Sequence, residues 1–162
     1  MEDKIRLLIV DDEVKFLDSI AKRLELRDFE VTKATNGKDA IQIARKEKFD
    51  LALIDLKMPG IDGKQVLEIL MKEHKFIEAI ILTGHGSLDS AVECTKLGAF
   101  GYLPKPYEFD QLIEKLKEAY ELRLQKKFEN NLEQKEKILK SAEGESALGI
   151  LRRLRELDDG VR

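Results

Sequence analysis

Residues 50–63 read DLALIDLKMPGIDG, and the fold turns on how this stretch is understood. Leu51-Ala52-Leu53-Ile54 is short and uniformly apolar, which suits a strand buried on both faces. It runs into a carboxylate, Asp55, whose ionised form is costly to desolvate unless a partner or an ion compensates it. Met58-Pro59-Gly60 then forces an immediate turn, so Asp55 stands at a strand tip. Taken alone, Asp55 is either an Asx-turn acceptor or a group held in place for chemistry.

Working outward, four more short apolar runs flank this one: IRLLIV (5–10), EVTKAT (30–35), AIILT (79–83) and FGYL (100–103). Between them lie VKFLDSIAKRLEL (14–26), KDAIQIARKE (38–47), KQVLEILMKE (64–73) and SLDSAVECTKL (87–97). These carry apolar residues three and four apart, as in Phe16, Leu17, Ile20 and Leu24, the pattern of amphipathic helices. Gly98 is a suitable helix stop. Five alternations of strand and helix predict a doubly wound α/β domain with a parallel sheet and right-handed crossovers.

From Tyr107 to about residue 140 there is no Pro or Gly, which predicts a fifth helix continuing past the domain. Leu112, Ile113, Leu116 and Tyr120 would pack on the sheet. Beyond them Leu124, Phe128 and Leu132 recur at i+4, a spacing that drifts around the helix and holds no heptad seam. A solvated extension and a dimerising coiled coil both stay open. After Gly144, Leu148, Ile150, Leu151, Leu154 and Leu157 form a short amphipathic helix whose apolar face needs a partner. We therefore divide the chain into a domain over 1–120 and a helical extension over 121–162 that serves dimerisation or partner docking.

Composition narrows the function classes. The chain has 162 residues, 43% of them hydrophobic, enough for one real core. A net charge of −3, with basic and acidic side chains nearly balanced after residue 107, gives no footprint for nucleic acid. Cys94 is the only cysteine, so no disulfide forms within the chain. The acidic N-terminus is unlike a signal peptide, and no run approaches the roughly 20 apolar residues a membrane span needs. A soluble cytoplasmic protein is expected. Gly144–Gly149 has the glycine spacing of a P-loop, but Ile150 and Leu151 stand where Lys and Ser/Thr are required.

Parallel sheets place functional groups beyond the carboxyl ends of their strands. Here those ends carry Asp11-Asp12-Glu13, Asp55, Thr83-Gly84-His85-Gly86 and Leu103-Pro104-Lys105-Pro106. Each has a dull reading: Asp11 or Asp12 as a helix cap, Thr83 as a strand former, Lys105 as a solvated loop residue. Together they would put three carboxylates, a hydroxyl and an ammonium into one pocket. Two carboxylates about 4 Å apart repel by roughly 4 kcal/mol at an effective dielectric near 20, which calls for a cation. Oxygen ligands alone favour Mg²⁺. A carboxylate beside a metal, a Lys and a Thr is suited to holding a phosphoryl group, with Asp55 as nucleophile.

The stretches LIVDDE (8–13), DLALIDLKMPGIDG (50–63), AIILTGHG (79–86) and GAFGYLPKPYEFDQL (98–112) resemble a response-regulator receiver domain of two-component signalling over roughly residues 4–120. The TGHG stretch is similar to receivers of ATPase-type transcription activators. The resemblance implies the strand order 2-1-3-4-5 and a cis peptide at Lys105-Pro106. It also implies phosphorylation of Asp55 by a sensor histidine kinase, without turnover as an enzyme beyond self-phosphorylation and autodephosphorylation. Asp12 would ligate Mg²⁺ directly, Asp11 mostly through water, and the Lys57 carbonyl would be a further ligand. Thr83 and Tyr102 would be the switch pair and Lys105 the phosphate-binding lysine. Lys57 and His85 would tune dephosphorylation. Output would pass to an unidentified downstream protein through the surface near Leu88, Val92, Lys96, Tyr102 and Glu108, and through the C-terminal helix. The alternative is a receiver piece of a longer transcription regulator. A haloacid-dehalogenase-type phosphatase also uses an aspartyl phosphate but needs a second Asp where Lys57 stands.

Overall fold

The computed structural model describes residues 4–142 and 144–159. The first three residues, read above as unlike a leader, lie outside them. Five strands, β1 (Ile5–Val10), β2 (Phe29–Ala34), β3 (Leu51–Ile54), β4 (Glu78–Thr83) and β5 (Gly101–Pro104), form one parallel sheet in the order β2-β1-β3-β4-β5. Alternating with them are α1 (Val14–Glu25), α2 (Gly37–Lys46), α3 (Gly63–Glu73), α4 (Leu88–Lys96) and α5 (Phe109–Lys140), followed by α6 (Ala147–Asp159). The expected doubly wound α/β architecture is present, with boundaries shifted by one residue or so. β3 ends at Ile54, which leaves Asp55 just past the strand.

Unbroken apolar strands follow from two buried faces, since alternate side chains point opposite ways. Leu8, Val10, Ala52, Ile54 and Ile81 face one side with Ala40 and Ile41 of α2 and Val66, Leu67 and Leu70 of α3. Leu7, Ile9, Leu53, Ile80 and Leu82 face the other with Leu17, Ile20 and Leu24 of α1 and Leu112 and Leu116 of α5. Among the five sheet-covering helices, α4 is the least anchored: Cys94 is its one buried residue, against four each in α1, α2 and α3. Side-chain caps start three of the helices. Asn36 accepts from the Asp39 N–H at 2.8 Å, Ser87 caps α4, and Asp62 and Gln65 make a reciprocal capping box at α3.

The chain divides into two compact units, Met1–Glu121 and Leu122–Arg162. The first holds the sheet. In the second, α6 has contacts with the later part of α5: Asp158 accepts from Lys135 at 2.9 Å and from Asn131 at 3.3 Å. At the turn between them Arg153 pairs with Glu145 at 2.8 Å and donates to Ser141 at 3.1 Å. No residue of α6 is buried, and Leu124, Phe128, Leu132, Leu139, Leu148 and Leu151 are exposed. Among the described residues no helix is long and apolar enough to cross a membrane.

Candidate functional site

Three backbone hydrogen bonds carry the parallel ladders one residue beyond the strands and fix the site. The Asp11 N–H donates to Ala34 O at 3.1 Å, the Asp55 N–H to Val10 O at 2.9 Å, and the Lys105 N–H to Thr83 O at 2.9 Å. Strand order does the rest: β1, β3 and β4 are successive neighbours, with β5 beside β4, so their carboxyl ends meet. Beneath this edge Gly63 opens α3, and its N–H donates to Leu56 O at 2.8 Å. A Cβ there would lie 2.1 Å from the Asp55 carbonyl oxygen and 2.6 Å from the Leu56 Cα, so only glycine lets α3 start this close to the site.

Asp11, Asp12 and Asp55 each offer a carboxylate oxygen, all within 4.8 Å of one another. Asp11 and Asp55 are 2% and 3% exposed, while Asp12 is exposed. The Asp55 carboxyl is held above the ordinary carboxylate range. Desolvation is the largest cause; the Asp11 and Asp12 charges add to it, and the Thr83 hydrogen bond and the Lys105 charge oppose it. Asp55 Oδ1 is buried with no hydrogen-bond partner. A buried carboxylate oxygen left unpaired beside two other carboxylates fits an oxygen-ligated cation, so the donor set suits Mg²⁺.

The remaining predicted residues converge here too. Lys105 Nζ lies 2.8 Å from Asp11 Oδ2 and 3.9 Å from Glu13 Oε1, and the Lys105-Pro106 peptide is cis. Thr83, buried at the end of β4, lies close enough to Asp55 to lower its carboxyl pKa and accepts from the His85 N–H at 3.1 Å. Lys57 is exposed, and with Asp12, Glu13, Met58, Pro59 and His85 it lines an open cleft of about 530 Å³ over the carboxylates. Neither aspartate caps α1: Glu13 is its N-cap and no side chain completes the cap. Asp11 Oδ1 instead accepts from the Glu13 N–H at 2.9 Å, which frees its other oxygen for Lys105.

Two neighbours were not visible as site residues. Lys105 Nζ sits 3.8 Å from the centroid of the Phe16 ring, which meets Tyr107 edge-on at 6.4 Å. At helical spacing Phe16 reads only as core, because the loop that brings Lys105 over it is far away in sequence. The second is Gly86. The Tyr102 hydroxyl is buried without a partner beneath it, and a Cβ on residue 86 would lie 1.1 Å from that oxygen. The Tyr102 hydroxyl thus lies against Gly86 of the β4–α4 loop.

Comparison with known proteins agrees with this geometry. A family model described as response regulator receiver domain matches residues 7–117. The chain is 34% identical over 142 residues to a putative NtrX-like response regulator of Rickettsia typhi, covering 86% of this chain and 30% of that protein. It is 32% identical over 118 residues to sporulation initiation phosphotransferase F of Bacillus subtilis, covering 73% of this chain and 95% of that one. A CheY-like receiver domain structure from Methanospirillum hungatei superposes with a TM-score of 0.73 at 34% identity, covering 76% of this chain and 98% of that one. The chain thus spans less than a third of the NtrX-like relative's length.

Proposed function

The chain belongs to the response regulator receiver domain family of two-component signalling, and from that premise we propose that it is switched by a phosphoryl group accepted on Asp55 from a sensor histidine kinase. The observation that carries the reading is Asp55 itself: buried, raised in pKa, and surrounded by Asp11, Asp12, Thr83 and Lys105. An Asp55 carboxylate oxygen attacks phosphorus while the bond from phosphorus to the donor's imidazole nitrogen breaks, its electron pair staying on nitrogen. Asp11, Asp12, Asp55 and the Lys57 carbonyl would hold Mg²⁺, which would supply positive charge to the phosphoryl oxygens. Lys105 turns from Asp11 toward the incoming oxygens, and the Thr83 hydroxyl exchanges Asp55 for one of them. With Lys57 where a second aspartate would act as general acid/base, the adduct persists rather than turning over.

The response is a population shift. Thr83 and Tyr102 flank the β4–α4 loop, and α4, with Cys94 its one buried residue, is the sheet-covering helix with least to lose on moving. Leu88 and Val92 on α4, 81% and 46% exposed, provide the apolar part of a face shared with β5 and the start of α5. Phosphorylation changes this face's affinity for a downstream protein, and the C-terminal helices offer a second route for output, including self-association. A second reading, a receiver that forms part of a longer transcription regulator, is favoured by the larger size of the NtrX-like relatives and leaves the chemistry unchanged.

The test is incubation with Mg²⁺ and acetyl phosphate, followed by intact mass measurement. One added phosphoryl group on the native protein, and none on Asp55→Asn, is expected. Steady phosphate release without an adduct would point to a phosphatase, and neither adduct nor release would leave a scaffold; both outcomes overturn the proposal.

A further inference from the structure

We propose that Phe16 is a positioning residue for Lys105, its ring face holding the ammonium at the phosphoryl site; this rests on the Asp55 phosphorylation reading. The ammonium lies beside Asp11 at 2.8 Å, Glu13 at 3.9 Å and the Phe16 centroid at 3.8 Å. A cation within about 6 Å of a ring centroid and over its face is attracted by the ring quadrupole, more strongly where water is excluded. Water is largely excluded here, since the Lys105 side chain is 16% exposed. Asp11 is also a candidate metal ligand, and a carboxylate that serves a cation gives up part of its pull on the lysine. The ring carries no charge to lose, so it is the partner that persists when Asp11 is engaged elsewhere.

The ring is itself braced. Phe16 leaves α1 in its first turn, packs with the cluster containing Leu17, Ile20 and Leu112, and meets Tyr107 at an interplanar angle of 87°. Tyr107 lies two residues after Lys105, so one loop supplies both the lysine and the aromatic edge that orients its platform. This requires an aromatic residue at position 16, whereas packing alone would accept any side chain of similar size.

Two readouts on the full chain test the proposal. The first is the proton shift of the Lys105 ε-methylene by NMR, which a ring face 3.8 Å from Nζ displaces upfield. The displacement is expected in the native protein and in Phe16→Tyr, and absent in Phe16→Leu. The second is the affinity for beryllofluoride with Mg²⁺, a phosphoryl mimic. Phe16→Leu is expected to weaken it roughly fivefold, Phe16→Tyr to restore it, and Phe16→Leu to add nothing in a Lys105→Met background. An unshifted methylene overturns the proposal, as does an equal loss in Phe16→Leu and Phe16→Tyr, or the same loss without the lysine charge. If the native protein binds no beryllofluoride, the phosphorylation reading fails, and the methylene shift still decides whether Phe16 holds Lys105.

Discussion

The two units of the chain solve opposite problems. Met1–Glu121 buries both faces of its central strands β3 and β4, and Asp11 and Asp55 are among the few polar side chains drawn inside. Leu122–Arg162 is a pair of helical segments too small to enclose a core, and it leaves Leu124, Phe128, Leu132, Leu139, Leu148 and Leu151 exposed. In the first unit, burial makes an ordinary aspartate chemically unusual, because the apolar layers beneath it raise the cost of its charge. In the second, polar contacts such as Lys135–Asp158 hold the helices together and burial contributes little. Chemistry belongs to the unit that can exclude water, and the other offers surface.

The sharpest contrast is in packing. Leu67→Ala, in the fully buried α3 seam, should destabilise the first unit by about 2–5 kcal/mol in urea unfolding. A small loss there would mean the layers are loosely packed and the argument from burial fails. Gly86→Ala should follow at about 1–3 kcal/mol, or should expel the Tyr102 ring, because no Cβ fits beside its hydroxyl. Tyrosine ring shifts by NMR would separate these outcomes, and an unmoved ring with unchanged stability would break the account of the switch.

Asp55→Asn should act in the other direction, raising stability at neutral pH. The sign follows from linkage. A carboxyl whose pKa is raised on folding favours the protonated folded state, so its contribution is full below the ordinary value near 3.8 and is lost as pH rises through the raised value. The asparagine should therefore gain over the native protein only above that window, and urea unfolding at acidic pH should show the two converging. A gain that persisted in acid would mean the effect is not the Asp55 charge. Smallest of all, Leu132→Ala in the second unit should change stability by less than about 0.5 kcal/mol. A larger loss would show that a partner or a second copy covers this leucine.

The same division governs what could be read from the amino acids. Strand and helix alternation, the extension of α5 to Lys140 and the convergence of Asp11, Asp12, Asp55, Thr83 and Lys105 were legible, because burial on two faces and parallel connections leave few alternatives. What escaped depends on where side chains meet across long sequence distances. The pairing of Lys105 with Asp11 and Phe16, and the fit of Tyr102 beneath Gly86, arise from loops whose course no periodicity encodes. Asp11 or Asp12 as a helix cap was a reasonable local reading, yet no side chain caps α1, and the two Asp11 oxygens serve the Glu13 N–H and Lys105 instead. For α6, amphipathicity showed that a partner was needed but not which one; its contacts with the later part of α5 include the polar pairs of Asp158, while Leu148 and Leu151 stay exposed.

The most direct test of the central claim is to locate the phosphoryl group chemically. After reaction with acetyl phosphate and Mg²⁺, borohydride reduces an aspartyl phosphate to homoserine, and peptide mass mapping finds the converted residue. The account predicts homoserine at position 55, dependent on the metal and strongly reduced in Lys105→Met. Conversion at another carboxylate, or none in a protein that has gained phosphoryl mass, would contradict it.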